Sequence, residues 1–447
     1  MNMDEMKTLA MKAIKTTIGE GADTAEVTVS GQDRFSVTVR NERTDNLTES
    51  VSSRISITLS AGKKKASITT SDLSPENIRK MIVEAVELSS VMDRDEYFDL
   101  PDQEETGVAD EIKGLFDPET VGIPADEKIS IALALERAAC GLDTRIISDG
   151  ASFSSGMYSL VFANSSGFCE GYEQTGFSTD ISCAVEDTAR KGKNTARKQS
   201  SFWFSTSCDR AGLDPIENTA SIAVNRTLRK LGAVKPKTCS VPVIFDQVTA
   251  RKFLGCIASA VNGGNIYKRA SFLADMIGKE ISSPLVTIID DPLMPGRLGS
   301  RPFDAEGVRS RKNTVVENGV LTSYLLSSYQ ARKLSMKTTG SSGGISNFYM
   351  VPGSHTLDEI ISSIDEGLFI TALSGPGANW SSGDFSQGAQ GIWISGGKLT
   401  HPVTEFTVAG TFSEMLSKIS MVEDSLDWKS TVASPAFKID RMTISGS

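Results

Sequence analysis

The chain has 447 residues, too many for one ordinary core, and its 39% hydrophobic content suffices for two or three packed domains. We see no apolar run of the roughly 18 residues that cross a membrane, and the polar start Met1–Lys7 does not resemble a signal segment. Six scattered cysteines without a CxxC pair favour reduced thiols, so we expect a cytoplasmic protein.

The net charge of −10 is concentrated in one segment. Between Asp93 and Glu119 there are eleven acidic residues and two basic ones, so the rest of the chain is close to neutral. A block of like charges resists burial, which predicts an exposed acidic linker over residues 93–119. The charge indicates neither an acidic substrate nor the overall positive balance of nucleic-acid-binding proteins.

Two α/β units, residues 1–92 and 120–234, flank this linker. In the first, apolar and polar residues alternate as in a sheet with one buried face. Its predicted elements are a helix over Met3–Ile18, strands over Ala25–Ser30, Phe35–Arg40, Ser53–Ser60 and Lys65–Thr70, and a helix that opens at Ser74. The second unit has a helix over Ala125–Cys140, short strands between Arg145 and Phe204, and a helix from Asp214 to near Lys230.

Residues 235–447 form a β-rich domain with few helices, a curved sheet or a barrel. Asn318–Gly319 predicts a tight hairpin, because both residues accept the positive φ of a type I′ turn. A helix over Thr249–Val261 follows the first strand, Ser240–Phe245. The chain as a whole is therefore predicted to be α+β, with N-terminal α/β sandwich-like units followed by a barrel-like C-terminal domain.

The segment Gly375–Gly391 is rich in glycine, serine and asparagine and looks like a seventeen-residue loop. Trp380 and Phe385 within it are costly to leave in water, so we expect a partner or a neighbouring domain to cover them. After it, Ile392–Thr400 predicts a hairpin about Gly396–Gly397, and a helix opening at Thr411 is predicted to bury Phe412, Met415, Leu416, Ile419 and Val422. The candidate substrate or interface residues are Gly383, Asp384, Phe385, Gly388, Gly391 and His401.

Three stretches in the C-terminal half carry a family resemblance: GDFSQGAQGIWI, HPVTEFTVAG and MLSKISMVEDSL. They resemble the TldD/PmbA family, once called modulators of DNA gyrase and now regarded as proteases, and they resemble its PmbA (TldE) members more than its TldD members. The likeness is clear over residues 310–425 and faint over residues 20–90.

The family's catalytic TldD-type subunits carry HExxxH on a helix of the C-terminal domain, with a late cysteine as a further zinc ligand. The resemblance places that motif in FLGCIASAVNGG, where Gly255 and Ala260 replace the histidines and Cys256 replaces the glutamate. The chain has only two histidines, His355 and His401, and no cysteine after Cys256. We therefore expect no metal site and no catalytic residue of that kind here.

What the resemblance implies is a cytosolic TldD–PmbA protease that degrades or trims polypeptides and processes peptides. In it, a TldD-type subunit carries the zinc, and the PmbA-type chain completes the substrate chamber and the partner interface. A homodimer is possible when the chain is alone, and catalysis without the partner is not expected.

Two alternatives from other functional classes remain open. Gly340–Gly344 matches GxSxG, so an autonomous serine hydrolase would use Ser342, Asp384 and His401. A regulatory protein that binds nucleic acid, as the older gyrase name suggests, would use the basic clusters Lys63–Lys65 and Arg190–Lys198. Gly/Ser-rich linker sequence and lysines that protect sheet edges explain the same features more simply.

Overall fold

The computed structural model describes residues 1–187 and 197–446. Its N-terminal half is built on one antiparallel sheet of six strands, which curves into half a barrel. The strands run in the order β3-β2-β1-β4-β5-β6, so both predicted α/β units contribute to the same sheet. The strand bounds are β1 Thr24–Arg40, β2 Arg43–Ala61, β3 Lys64–Thr70, β4 Ile147–Asn164, β5 Cys169–Asp187 and β6 Arg197–Ser207.

Two pairs of helices cover one face of this sheet. The first pair packs on Val27, Val29 and Ile57, and the second pair packs on Phe35, Phe153 and Ile181. Each predicted unit therefore has its own hydrophobic core on a shared sheet. The helices are α1 Met3–Gly19, α2 Pro75–Ser90, α3 Ala125–Leu142 and α4 Ile216–Leu228, with a 3-10 turn over Pro118–Gly122.

A closed five-stranded barrel dominates the C-terminal half, which confirms the predicted barrel-like domain. Closure follows from the pairings β12-β7-β18-β15-β14, since β14 also pairs with β12. These strands are β7 Cys239–Phe245, β12 Glu366–Ser374, β14 Asp384–Ser395, β15 Lys398–Thr411 and β18 Phe437–Ser445, extended by β13 Ala378–Asn379 and β16 Ile419–Val422.

A smaller sheet and five helices complete this domain. The sheet has the order β10-β9-β8-β11-β17, and the Asn318–Gly319 turn joins β9 to β10 with both residues at positive φ, as predicted. The strands are β8 Ile288–Asp290, β9 Asn313–Glu317, β10 Val320–Leu321, β11 Phe348–Met350 and β17 Val432–Ala433. The helices are α5 Gln247–Ala260, α6 Gly263–Tyr267, α7 Ser328–Leu334, α8 Leu357–Ser362 and α9 Phe412–Ser417. Within residues 1–187 and 197–446, no helix is both long and apolar enough to cross a membrane.

Three predicted elements differ from the observed ones. The strands predicted over Ala25–Ser30 and Phe35–Arg40 are halves of β1, because polar Gly31–Arg34 between them is paired on both sides, with β2 and with β4. The run of short strands after Arg145 is instead three long strands. The helix that opens at Thr411 ends at Ser417, since β16 then pairs with β18.

The acidic connection is held against the C-terminal domain rather than hanging free. The Arg332 guanidinium donates hydrogen bonds to the backbone carbonyls of Tyr97 at 3.1 Å and Asp99 at 2.9 Å. Arg311 pairs with Glu105 at 2.5 Å. Many acidic side chains of the connection are exposed, as expected, but its backbone is fastened to α7 and to the loops beside it.

Candidate functional site: the interdomain groove and helix α5

A groove of about 470 Å³ crosses the face of the N-terminal sheet that the four helices leave uncovered. Strand register arranges its floor in rows, one of which is Ser36, Ser154, Ser178 and Thr206 on β1, β4, β5 and β6. Ser154 and Ser36 share a hydrogen bond of 2.9 Å between their hydroxyls. Small hydroxyl side chains keep this floor low and polar.

The groove continues into a second cleft of about 420 Å³ against the C-terminal domain, since Thr206 and Leu298 line both. The Thr206 hydroxyl donates to the Lys429 carbonyl at 3.0 Å, which ties the sheet to the opposite wall. Lys429 is buried and pairs with Asp214, and with Asp427 at 3.3 Å. The two clefts form one channel, the interdomain groove, with a charged far end.

Helix α5 runs from this groove towards the glycine-rich segment. Asp246 caps its start by accepting the Thr249 backbone N–H at 2.8 Å. Near that start, the Arg251 guanidinium lies 5.6 Å from the centre of the Phe204 ring on β6. One residue further on, Lys252 donates to the Leu373 carbonyl at 3.3 Å. The start of the helix therefore contacts both β6 of the N-terminal sheet and β12 of the barrel.

The residues of α5 at the expected zinc-motif positions do not fit a metal. Gly255 borders open space, Cys256 is partly buried, and Ala260 is fully buried in the barrel core. Burial raises the pKa of the Cys256 thiol, which disfavours the thiolate that zinc requires. In the described ranges 1–187 and 197–446, no three histidine, cysteine, aspartate or glutamate side chains form a group that could hold a metal ion.

The glycine-rich segment is largely a hairpin rather than a seventeen-residue loop. Its second half belongs to β14, which begins at Asp384. Only residues 375–383 lie outside the two long strands, and two of them form the short strand β13. Phe385 is 2% exposed and packs in the barrel core against Phe245, Phe253 and Phe412. The expectation that a partner or a neighbouring domain covers Phe385 is wrong, because the core of its own barrel buries it. Trp380, at 40% exposure, remains uncovered.

Gly383, Gly388 and Gly391 have local structural reasons to be glycine. Gly383 has φ +83°, and a Cβ there would lie 3.2 Å from the Phe272 side chain. A Cβ on Gly391 would lie 2.3 Å from the Phe369 carbonyl, and one on Gly388 would lie 2.8 Å from the Ser374 hydroxyl. Gly388 and Gly391 therefore permit the close pairing of β14 with β12.

The candidate residues Asp384 and His401 are at opposite ends of the β14–β15 ribbon. Asp384 pairs with Thr411, whereas His401 adjoins Pro402, the partner of Ile392. The eight residue steps from Asp384 to Ile392 span about 26 Å at the usual rise of a strand. Asp384 and His401 cannot belong to one catalytic triad at that separation.

Ser342 also lacks the surroundings of a nucleophile. Its backbone N–H donates to the Asp304 carboxylate at 2.8 Å, in a turn beside residues 304–308. The only side-chain hydrogen bond recorded for His401 within the described structure is with Thr400, at 3.2 Å. The structure does not bring Ser342, Asp384 and His401 together, so the serine-hydrolase alternative has no site.

A cluster of carboxyl groups lies where the N-terminal sheet meets the C-terminal domain. Burial, and then the neighbouring Glu306 carboxylate, raise the pKa of Glu26 to about 8. The same two causes raise the pKa of Asp304 to about 6, although backbone N–H donors of Glu306, Ser342 and Val308 oppose the shift. A protonated Glu26 avoids repulsion at this junction, which makes the cluster a structural feature of the domain contact.

The lysines of the first basic cluster are engaged within the chain. Lys63 pairs with Asp99 at 2.6 Å, Lys64 donates to the Ser90 carbonyl at 2.6 Å, and Lys65 lies 4.4 Å from the centre of the Phe98 ring. In the second cluster, Lys198 pairs with Asp149 at 2.7 Å. Residues 190–196 of that cluster lie outside the described residues. The described lysines form no surface free for a phosphate backbone.

The interdomain groove was not predicted from the sequence. Its signal is the long alternation in β4 and β5, where Ser152, Ser154, Ser178 and Asp180 face away from the buried Phe153 and Phe177. Hydroxyl side chains on the uncovered face of a sheet look like ordinary solvent exposure in a sequence. Only the position of the C-terminal domain turns that face into a groove.

A half-barrel sheet joined to a closed barrel, with a groove between them, defines a two-part architecture that known proteins share. Three family profiles match in succession: PmbA/TldA metallopeptidase domain 1 over residues 25–89, the central domain over 119–231 and the C-terminal domain over 238–446. The chain belongs to the PmbA/TldD metallopeptidase family, as the resemblance predicted.

Individual relatives agree with this assignment. The chain is 32% identical to a metalloprotease PmbA homolog of Haemophilus influenzae, over 97% of this chain and 94% of that protein. It is 27% identical to a metalloprotease TldD homolog of the same organism, over 72% of each. A crystal structure of a Bacteroides thetaiotaomicron protein described as a modulator of DNA gyrase superposes with a TM-score of 0.93, at 27% identity, over the whole of both chains.

Proposed function

We propose that this chain is the non-metal, PmbA/TldE-type subunit of a cytoplasmic TldD–PmbA protease complex that acts on polypeptides. The observation that carries the proposal is the composition of α5, which has Gly255, Cys256 and Ala260 where the zinc motif is expected. None of these three residues can supply an imidazole or a carboxylate, so the zinc and the chemistry belong to a TldD-type partner.

The groove gives this subunit a role besides assembly. Its low floor, which mixes hydroxyl and apolar groups, and its continuation along the C-terminal domain suit an extended polypeptide, which can be held without a demand for one sequence. In the proposed complex the partner's catalytic centre works on a chain that this subunit helps to hold. The six free cysteines agree with a reducing compartment.

Reconstitution with the TldD-type subunit of the same organism tests the division of labour. We expect neither chain alone to cleave an unfolded substrate such as casein at the rate of the mixture. Cys256→Ala, at the glutamate position of the motif, should leave the mixture fully active. Replacing the motif glutamate of the partner with glutamine should abolish activity. Activity of this chain alone, or its loss with Cys256→Ala, would contradict the proposal.

We place the partner interface at the exposed tip of the glycine-rich hairpin, residues 375–383. Trp380 there is 40% exposed, a large apolar surface for a loop tip. Leu399, at the far end of the same ribbon, is 41% exposed and provides a matched control. Trp380→Ser should weaken assembly at least tenfold while Leu399→Ser leaves it unchanged, as measured by analytical ultracentrifugation. Equal affinities of the two variants would remove the hairpin tip from the interface.

A further inference from the structure

Among the described residues, Arg34 is the one charged residue that lines the 470 Å³ part of the interdomain groove. It is exposed on β1 and makes no ion pair or side-chain hydrogen bond with any residue of 1–187 or 197–446. On β4 and β5 its neighbours across the sheet, Gly156 and Gly176, carry no side chain that could cover it, and on β2 it lies opposite the small, uncharged Ser50. A free guanidinium therefore stands over a smooth, neutral floor.

The rest of this floor consists of uncharged groups. Adjacent rows supply the hydroxyls of Ser36 and Ser154 on one side and Gln32 with Tyr158 on the other. The acidic residue on this face in the neighbouring rows is Asp180 on β5. It lies opposite Ser152 on β4, which lies opposite Thr38, four residues along β1 from Arg34. Arg34 thus has no partner among the residues that the structure describes and can give a bidentate pair to an incoming carboxylate.

We propose that this part of the groove binds an extended polypeptide and that Arg34 receives one of its carboxylates. The inference rests on the proposed function and names the feature of the substrate that this subunit selects. The floor crosses four strands, or three spacings of about 4.8 Å, which accommodates about four extended residues. A nucleic acid is the poorer fit, because it needs several cations along its backbone and the lining offers one.

The groove also gives the bound chain a direction of exit. From Arg34 the floor passes Thr206 into the 420 Å³ cleft, where Trp428 lies against Arg297, 4.7 Å from the guanidinium carbon to the ring centre. Lys429 there is already paired with Asp214 and Asp427, so it does not compete for the carboxylate. The carboxylate at Arg34 therefore marks one end of the held segment, and the remainder runs towards the C-terminal domain.

Binding of labelled peptides to the isolated full chain tests the inference. Four fluorescent forms of one serine- and leucine-rich octapeptide carry glutamate or glutamine at one internal position, and a free or amidated C-terminus. We expect a form with a carboxylate to bind at least tenfold more tightly than the doubly neutral form by fluorescence anisotropy. The internal glutamate and the free terminus separate a side-chain carboxylate from the carboxylate of a chain end.

Arg34→Gln should remove this preference, and raised salt should reduce it in the parent protein. Arg43→Gln, at an exposed position of β2 opposite Arg40 and outside the groove lining, is the matched control and should keep it. Equal binding of charged and neutral peptides, a preference that survives Arg34→Gln, or no binding below about 1 mM would overturn the inference. This assay needs no partner chain. A negative peptide-binding result would therefore leave the reconstitution result unaffected, and a failed reconstitution would not overturn the binding inference.

Discussion

At single glycines of the barrel hairpin, close backbone contacts determine how far a substitution destabilises the protein. Gly391→Ala should destabilise the protein by about 1–3 kcal/mol, because the new Cβ would press on the Phe369 carbonyl, which cannot move away as a side-chain end would. Gly176→Ala is the control, since its Cβ would meet nothing within 4 Å, and it should change stability by less than about 0.5 kcal/mol. Urea denaturation measures both, and equal stability of the two variants would refute this packing account.

Glu26 makes the stability of the domain junction depend on pH. Its pKa is raised to about 8 in the folded protein, mainly by burial, from an ordinary value of 4.5. The folded state therefore holds this proton more tightly than the unfolded state, and its contribution to stability is complete below pH 4.5 and is lost as pH rises through about 8.

Glu26→Gln should thus flatten the stability profile between about pH 4.5 and pH 8. We expect the variant to be more stable than the parent at pH 9 and similar to it at pH 4, in denaturant titrations at each pH. Glu49→Gln, at an exposed position of β2, should follow the parent throughout. A parent profile that rises between pH 6 and 9 would contradict the raised pKa.

Residue-scale chemistry was only partly predictable from the sequence. The turn at Asn318–Gly319 and the helix start at Thr411, whose side chain accepts the Glu414 backbone N–H at 3.3 Å, follow local rules and were confirmed. Phe385 was misjudged, because the glycines around it hide the alternation of β14 that carries it into the core.

At the scale of elements, the acidic connection behaves as a strap that α7 holds. Arg332→Ala removes donors to the carbonyls of Tyr97, Asp99 and Leu100 and should expose the backbone there. We expect a glutamyl-specific protease to cut within residues 93–111 at least several-fold faster in this variant than in the parent. Lys337→Ala, which removes a side chain for which no such bond is recorded among the described residues, should not accelerate cleavage. Identical cleavage of all three proteins would show that Arg332 does not hold the acidic connection against the C-terminal domain.

Strand length was the element property least visible in the sequence. Gly31–Arg34 reads as a break, yet β1 continues through it because neighbours on both sides satisfy its backbone. Conversely, the apolar spacing of Ile419 and Val422 suits a helix, but pairing with β18 draws these residues into β16. Local periodicity cannot report such long-range pairing.

At the scale of the whole molecule, the proposed function divides the tasks of a peptidase between two chains. The α+β class, the barrel and the family were predictable, because they depend on strand patterns and on three sequence stretches of the C-terminal half. The interdomain groove was not, because it exists only where residues 32–36 and 154–178 face residues 295–298 and 426–430 of the other domain.

Zinc analysis of the separated and assembled chains tests this division most directly. Each chain is purified alone and as the mixed complex, and bound metal is measured by plasma mass spectrometry after extensive dialysis. The account predicts about one zinc per complex, all of it carried by the TldD-type partner, and no stoichiometric zinc on this chain at any stage. About one tightly bound zinc per isolated copy of this chain would contradict it.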